Sequence, residues 1–185
     1  MSQTSDQLLD GALAQFRTHG FAKTSMSDIA KAAGISRTAL YNHFETKEAV
    51  FRALSERINS RATEAVVSAA NLPEAWHVRL RNVMHARCEW VYDLLHDGAF
   101  GRELIDEKNR VCGGRVLSAN DRFSALLVGI VRSGGIDKKK ATAFSAMMID
   151  AVNGILEAAE TRQVAEANVD LLVTALSRGI GANPK

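Results

Sequence analysis

With 185 residues, 46% of them hydrophobic and 24% charged, the chain has the composition of a soluble globular protein large enough for one sizeable core or two smaller ones. Its net charge of +2 is too small to argue by itself for a polyanionic partner. Only two prolines occur and apolar residues recur three and four apart throughout, which predicts an all-α fold; no apolar run approaches the roughly 18 residues a membrane-spanning helix needs.

The polar stretch Met1–Gln7 lacks the apolar segment of a secretion signal, so the cytoplasm is the expected location. Charge is distributed unevenly. Residues 1–61 carry 8 Lys and Arg against 6 Asp and Glu, whereas residues 62–185 carry 15 against 15. The basic excess therefore lies wholly in the first third.

The first predicted helix runs from about Thr4 to His19, with Leu8, Leu9, Ala12, Leu13 and Phe16 as its buried stripe and Gly20 as its end. Ser25, followed three residues later by Asp28, is the start signal of a second helix near Met26, because a hydroxyl and a carboxylate can satisfy its orphan amides. That helix turns Ile29, Ala32 and Ala33 inward and stops at Gly34, which accepts a left-handed backbone at low cost. Ser36 caps a third helix. Ala39, Leu40 and His43 or Phe44 are its packing side, leaving Arg37, Thr38, Tyr41 and Asn42 outward. Such a face can read base edges and hold phosphates, as a recognition helix in a major groove must.

Asp28-Ile29-Ala30, Ala33-Gly34-Ile35-Ser36, Leu40-Tyr41-Asn42-His43-Phe44 and Lys47-Glu48, with Gly20-Phe21 and Thr24 upstream, together resemble the N-terminal DNA-binding domain of the TetR/AcrR family of bacterial transcriptional regulators. The resemblance covers roughly residues 5 to 55. It implies a helix-turn-helix domain that touches double-stranded DNA through Thr24, Ser25, Ser36, Arg37 and Thr38, and through Tyr41, Asn42, His43 and Lys47. Thr38 departs from the pattern, standing where many members carry glycine, which bears on base preference.

Thr46, Lys47 and Glu48 open the next helix, whose free amides and lysine converge where a phosphate could dock. It runs to about Ala70, with Val50, Phe51, Leu54 and Ile58 on its apolar side and Arg52, Glu56, Arg57 and Arg61 opposite. Residues 47–70 form a linking helix between a DNA-binding domain at 1–46 and an effector-binding and dimerisation domain at 71–185, with Asn71-Leu72-Pro73 as the break. A tilt of that helix would move the reading head.

Further helices are expected near Glu74–Leu95, Gly98–Lys108, Ala119–Arg132, Lys138–Glu160 and Val164–Ile180, punctuated by Gly113-Gly114 and Ser133-Gly134-Gly135. Trp76, Met84, His85 and Cys88, then Trp90, Tyr92, Phe100 and Phe123, gather most aromatic and soft side chains outside the first domain; they are equally the pattern of plain core and of a pocket for a small-molecule effector. The resemblance to TetR regulators places an inducer cavity in this region. The last two helices mix small and large apolar residues. Phe144, Met147, Met148, Ala151 and Ile155, with Leu172, Ala175 and Leu176, are the expected homodimer interface, since two recognition helices about 34 Å apart can read a palindrome.

No cofactor or metal is expected. His85 and Cys88 lie three apart and Cys112 is the only other cysteine, without the paired clusters of structural zinc. No nucleophile motif, P-loop or dinucleotide turn occurs, so an enzyme is not expected. The reading is a homodimeric repressor released from its operator by an effector. The alternative is an all-helical ligand-binding or protein-interaction module whose N-terminal domain meets a partner protein.

Overall fold

The computed structural model describes residues 3–96 and 101–181. Among them are eight helices and no strand: α1 (Gln3–Lys23), α2 (Met26–Ala32), α3 (Arg37–His43), α4 (Lys47–Ala70), α5 (Trp76–His96), α6 (Gly101–Arg132), α7 (Lys138–Ala158) and α8 (Arg162–Gly181). No helix of the described residues is long and apolar enough to cross a membrane. The contacts form two compact units, Met1–Arg61 with Leu94–Val116 and Ala62–Asp93 with Leu117–Lys185. The chain passes between them inside α4, near the end of α5 and inside α6.

In the first unit, Leu8, Leu9, Ala12 and Phe16 of α1 pack with Ile29, Leu40, Val50, Phe51 and Leu54. Helical geometry in α1 breaks at Gly20 (φ 78°, ψ 164°), a conformation that any Cβ would strain. The break turns Phe21 back onto Phe16 and Phe51, with ring centroids 5.2 to 5.5 Å apart. Three aromatic rings at these separations bury large apolar area and add edge-to-face attraction. The unit is thereby closed under the α2–α3 pair.

One feature of this unit departs from the sequence expectations. Arg57 is not on a solvent face: it is 6% exposed, and its guanidinium donates to the Asp10 carboxylate (2.6 Å) and the Asp6 carbonyl (3.1 Å). Position 57 lies seven residues after Val50 and three after Leu54, so the helical repeat carries it onto the buried stripe, where only paired charge is tolerable. The close crossing of α1 and α2 rests on Gly11, where a Cβ would stand 2.7 Å from the Ala33 nitrogen.

In the second unit the buried stripes are Leu80, Val83, Met84 and Cys88 of α5, Leu127, Ile130 and Val131 of α6, Phe144, Met148, Val152 and Leu156 of α7, and Ala165, Val169 and Val173 of α8. Asp137 caps α7 by accepting from the Lys140 amide at 3.0 Å. Gly135 (φ 83°) makes the turn before it, as the glycine pair there predicts. Gly113-Gly114 makes no such turn, because α6 continues through both. An interior glycine costs a helix only about 1 kcal/mol and breaks it only where the backbone must turn left-handed. Phe144 and Met148, expected at a dimer interface, are both buried within the unit, where they share a face with Ala141 and Val152.

Candidate nucleic-acid interface

The α2–α3 pair is held at each corner by the groups the sequence supplies. The Ser25 hydroxyl accepts from the Asp28 amide (3.2 Å) and donates to the Asp28 carboxylate (2.6 Å), which also accepts from the Ser25 amide (2.9 Å). The hydroxyl first, and the amide second, hold the Asp28 carboxyl below its ordinary range, so the capping box is intact at neutral pH and weakens only as pH falls through that lowered value. Gly34 turns at φ 68°, and Ile35 packs against the core behind it. The Ser36 hydroxyl accepts from the Ala39 amide at 3.1 Å and starts α3. Leu40 is then fully buried and Phe44 partly so, which fixes the rotation of α3.

With α3 so rotated, Arg37, Thr38, Tyr41, Asn42 and His43 all stand exposed. Arg37 and Tyr41 are one turn apart; the guanidinium donates to the phenol at 3.4 Å and lies 5.4 Å from the ring centroid. That contact orders a long side chain in advance and leaves its remaining donors free for base edges or phosphate. Thr46 caps α4, its hydroxyl accepting from the Ala49 amide at 3.1 Å.

Two residues expected to touch DNA have their side chains turned inward. The Thr24 hydroxyl is buried and donates to the Gly20 carbonyl at 2.7 Å, satisfying an oxygen that the break in α1 leaves without a helical partner. The Lys47 ammonium donates to the carbonyls of Phe21 (2.6 Å), Thr24 (2.8 Å) and Ala22 (3.3 Å) and lies 4.4 Å above the Phe21 ring. Three donors meet three carbonyls, so this lysine braces the α1–α2 turn against α4. Lys47→Met is therefore expected to lower the stability of the first unit by about 1–3 kcal/mol, read by urea titration, while leaving the salt dependence of any nucleic-acid binding unchanged.

The family model of bacterial regulatory proteins, tetR family, matches residues 8–54, the span that carries this geometry. Residues 8–54 are thus similar to the N-terminal domain of the tetR family. It is 47% identical over 49 residues to a protein of Escherichia coli K12 described as a probable acrEF/envCD operon repressor, a match covering 26% of this chain and 22% of that one. The chain thus spans 22% to 29% of the length of the first curated relatives it matches. Its fold follows solved structures end to end. A TetR-like transcriptional regulator from Rhodococcus sp. RHA1 has a TM-score of 0.73 at 23% identity, covering 97% of both chains. The SmeT–triclosan complex has a TM-score of 0.69 at 19% identity, covering 100% of this chain and 98% of that one.

In the second unit, the residues expected to line one pocket are dispersed. Met84, Cys88 and Tyr92 are buried core. His85 is half-turned to solvent, its Nε2 2.7 Å from the Asp170 carboxylate, so it joins α5 to α8. Phe123 carries the Arg87 guanidinium 4.4 Å above its ring. Trp76 borders a cleft between α5 and α8. Phe100 and the side chains of Trp90 and Cys112 lie outside the described residues.

Burial pushes the Cys88 thiol from its ordinary value near 9.0 up to about 12. A Cys112→Ser variant should accordingly resist iodoacetamide from neutral to mildly alkaline pH while folded and react once unfolded in urea. Because the thiol ionises first in the unfolded chain, stability should be unaffected below pH 9 and fall from there towards about 12, a loss that Cys88→Ala removes.

Of the residues expected at a dimer interface, Met147 is 48% exposed, Ala175 is exposed, and Ala151, Ile155, Leu172 and Leu176 are half-buried. Leu171 (69% exposed) and Val164 extend the same apolar surface on α8.

Proposed function

We propose that this chain is a cytoplasmic transcriptional regulator, a repressor, that binds a palindromic operator as a homodimer and leaves it when a small molecule occupies the second unit. The observation that carries the reading is the exposed ridge of Arg37, Thr38, Tyr41 and Asn42 on a helix whose caps and buried Leu40 leave it no freedom to rotate. In the major groove, Arg37 takes the base-reading role, because a guanidinium can pair bidentately with a guanine edge; the hydroxyls, Asn42 and His43 serve bases or phosphates around it. Residues 1–46 act as the reading head and α4 as the element whose tilt moves it.

The apolar surface of Met147, Ala151, Ile155, Val164, Leu171 and Ala175 supports dimerisation through α7 and α8, with Leu171 in the place that Phe144 and Met148 cannot fill. Release by an effector is supported by a relative of the same fold, SmeT, solved with triclosan. Such release requires that the effector bind the operator-free form more tightly than the operator-bound one.

The test is Arg37→Ala in gel-shift titrations at two salt concentrations against fragments selected from the source genome. Specific affinity should fall by about 1–3 kcal/mol and base preference should relax at one position of each half-site. Unchanged affinity and preference would remove the ridge from DNA altogether. Affinity insensitive to salt would favour a partner protein instead.

A further inference from the structure

The second unit holds a cleft of about 350 Å³ between the first turn of α5 and the last turns of α8, and its lining is chemically one-sided. Arg81 and Arg178 face it with His77, Thr174 and Ser177, over an apolar wall of Trp76, Val78 and Val173; among the described residues no acidic side chain lines it. Neither arginine has an acidic partner among the described residues. The Ser177 hydroxyl oxygen is buried there without a hydrogen-bond partner among the described residues, an arrangement that costs a folded protein free energy unless something arrives to use it.

The walls are also fixed. The Trp76 ring is seated on Gly134, where a Cβ would stand 2.5 Å from the indole. Three residues along, the Arg79 guanidinium donates to the Ala70 carbonyl and to the Ser133 hydroxyl, tying the start of α5 to the turns on both sides. His77 stands edge-on to the Trp76 ring at 5.8 Å. A rigid aromatic wall, two free guanidinium groups and an unused hydroxyl in a space of drug-like size constitute an anion site with an apolar floor.

We infer that this cleft binds a small aromatic acid, its carboxylate or phosphate held between Arg81 and Arg178 and met by the Ser177 hydroxyl, its ring laid against Trp76. The first turn of α5 adds favourable potential, since helix N-termini attract anions and no acidic residue occupies this one. The inference concerns binding alone and does not depend on whether the chain meets DNA.

The test is calorimetric titration of the full chain with 1-naphthoate and with phenyl phosphate, using 1-naphthylmethanol as the uncharged body and inorganic phosphate as the bare head. Saturable one-to-one binding of at least one aryl acid, with neither the alcohol nor inorganic phosphate matching it, is the expected result. Arg81→Ala and Arg178→Ala should each weaken that binding roughly tenfold, as loss of a charge-assisted hydrogen bond does. Lys139→Ala with Lys140→Ala, which removes twice the charge of either single arginine variant from exposed positions of α7, should leave it unchanged. Ser177→Ala separates a binding role from a structural one: removing an unused buried hydroxyl leaves the melting temperature equal or higher, yet affinity for the acid falls. Absence of binding by both aryl acids up to about 1 mM would overturn the inference, as would equal affinity in the double arginine variant or tighter binding of inorganic phosphate than of phenyl phosphate.

Discussion

Replacing Asp6 and Asp10 together by alanine is expected to destabilise the first unit by about 3 kcal/mol, because it leaves the Arg57 guanidinium buried without a counter-charge. The loss falls at the low end for a broken buried pair because the two carboxylates are 45% and 67% exposed, so water lies close to the guanidinium. Asp6 contributes a few tenths of a kcal/mol more from its place in the first turn of α1. Arg57→Met should cost less, since the carboxylates it abandons can hydrate where they stand while the methionine keeps the apolar stem. Urea unfolding of the three chains measures the asymmetry. An Arg57→Met variant less stable than the double alanine variant would mean that packing of the arginine stem, and not its charge, is what the site provides.

Gly11→Ala is the second large effect, and its sign is set by a contest. In a helix free of neighbours, alanine would gain about 1 kcal/mol over glycine. Here the added Cβ meets main-chain atoms, the Ala33 nitrogen at 2.7 Å and the Ala32 carbonyl carbon at 3.0 Å, which cannot swing aside as a side chain could. α1 and α2 must separate, at a cost of about 1–3 kcal/mol or more, and the net result should be a lower melting temperature. Because α2 carries the turn into α3, the shift should also weaken nucleic-acid binding without touching a contacting residue. Gly129→Ala provides the contrast: it is helical, with nothing within 4 Å of its would-be Cβ, and should stabilise the chain slightly. A Gly11→Ala chain that melts higher, as the Gly129 variant should, would refute the close crossing.

Sequence reasoning located the α2–α3 pair because every signal for it is local. Ser25 with Asp28, Gly34, and Ser36 with Ala39 act within four residues of one another, so spacing alone places them. The exposed ridge followed from the same periodicity. Thr24 and Lys47 were legible as residues of that region but not in their direction, because their partners lie on α1 and the turn after it, up to 26 residues away. A residue type suited to phosphate is equally suited to a carbonyl left open by a helix break. Arg57 carried a usable signal in its seven-residue distance from Val50, which its charge concealed. On α7 the apolar pattern was broad enough for two faces, and composition could not divide Phe144 and Met148 from Met147.

The amino-acid sequence by itself determined the all-α class, the capped and glycine-turned helix pair, and the polar face that pair presents, since each depends on periodicity or on hydrogen bonds closed within one turn. Only the tertiary structure decided which charges are internal braces, where helices approach too closely for a Cβ, and that Arg81 and Arg178, nearly a hundred residues apart, border one cleft. The physical reason is range. Caps and turns are satisfied by neighbours in the chain, whereas burial and charge pairing depend on which distant segment arrives, and similar side chains serve either outcome.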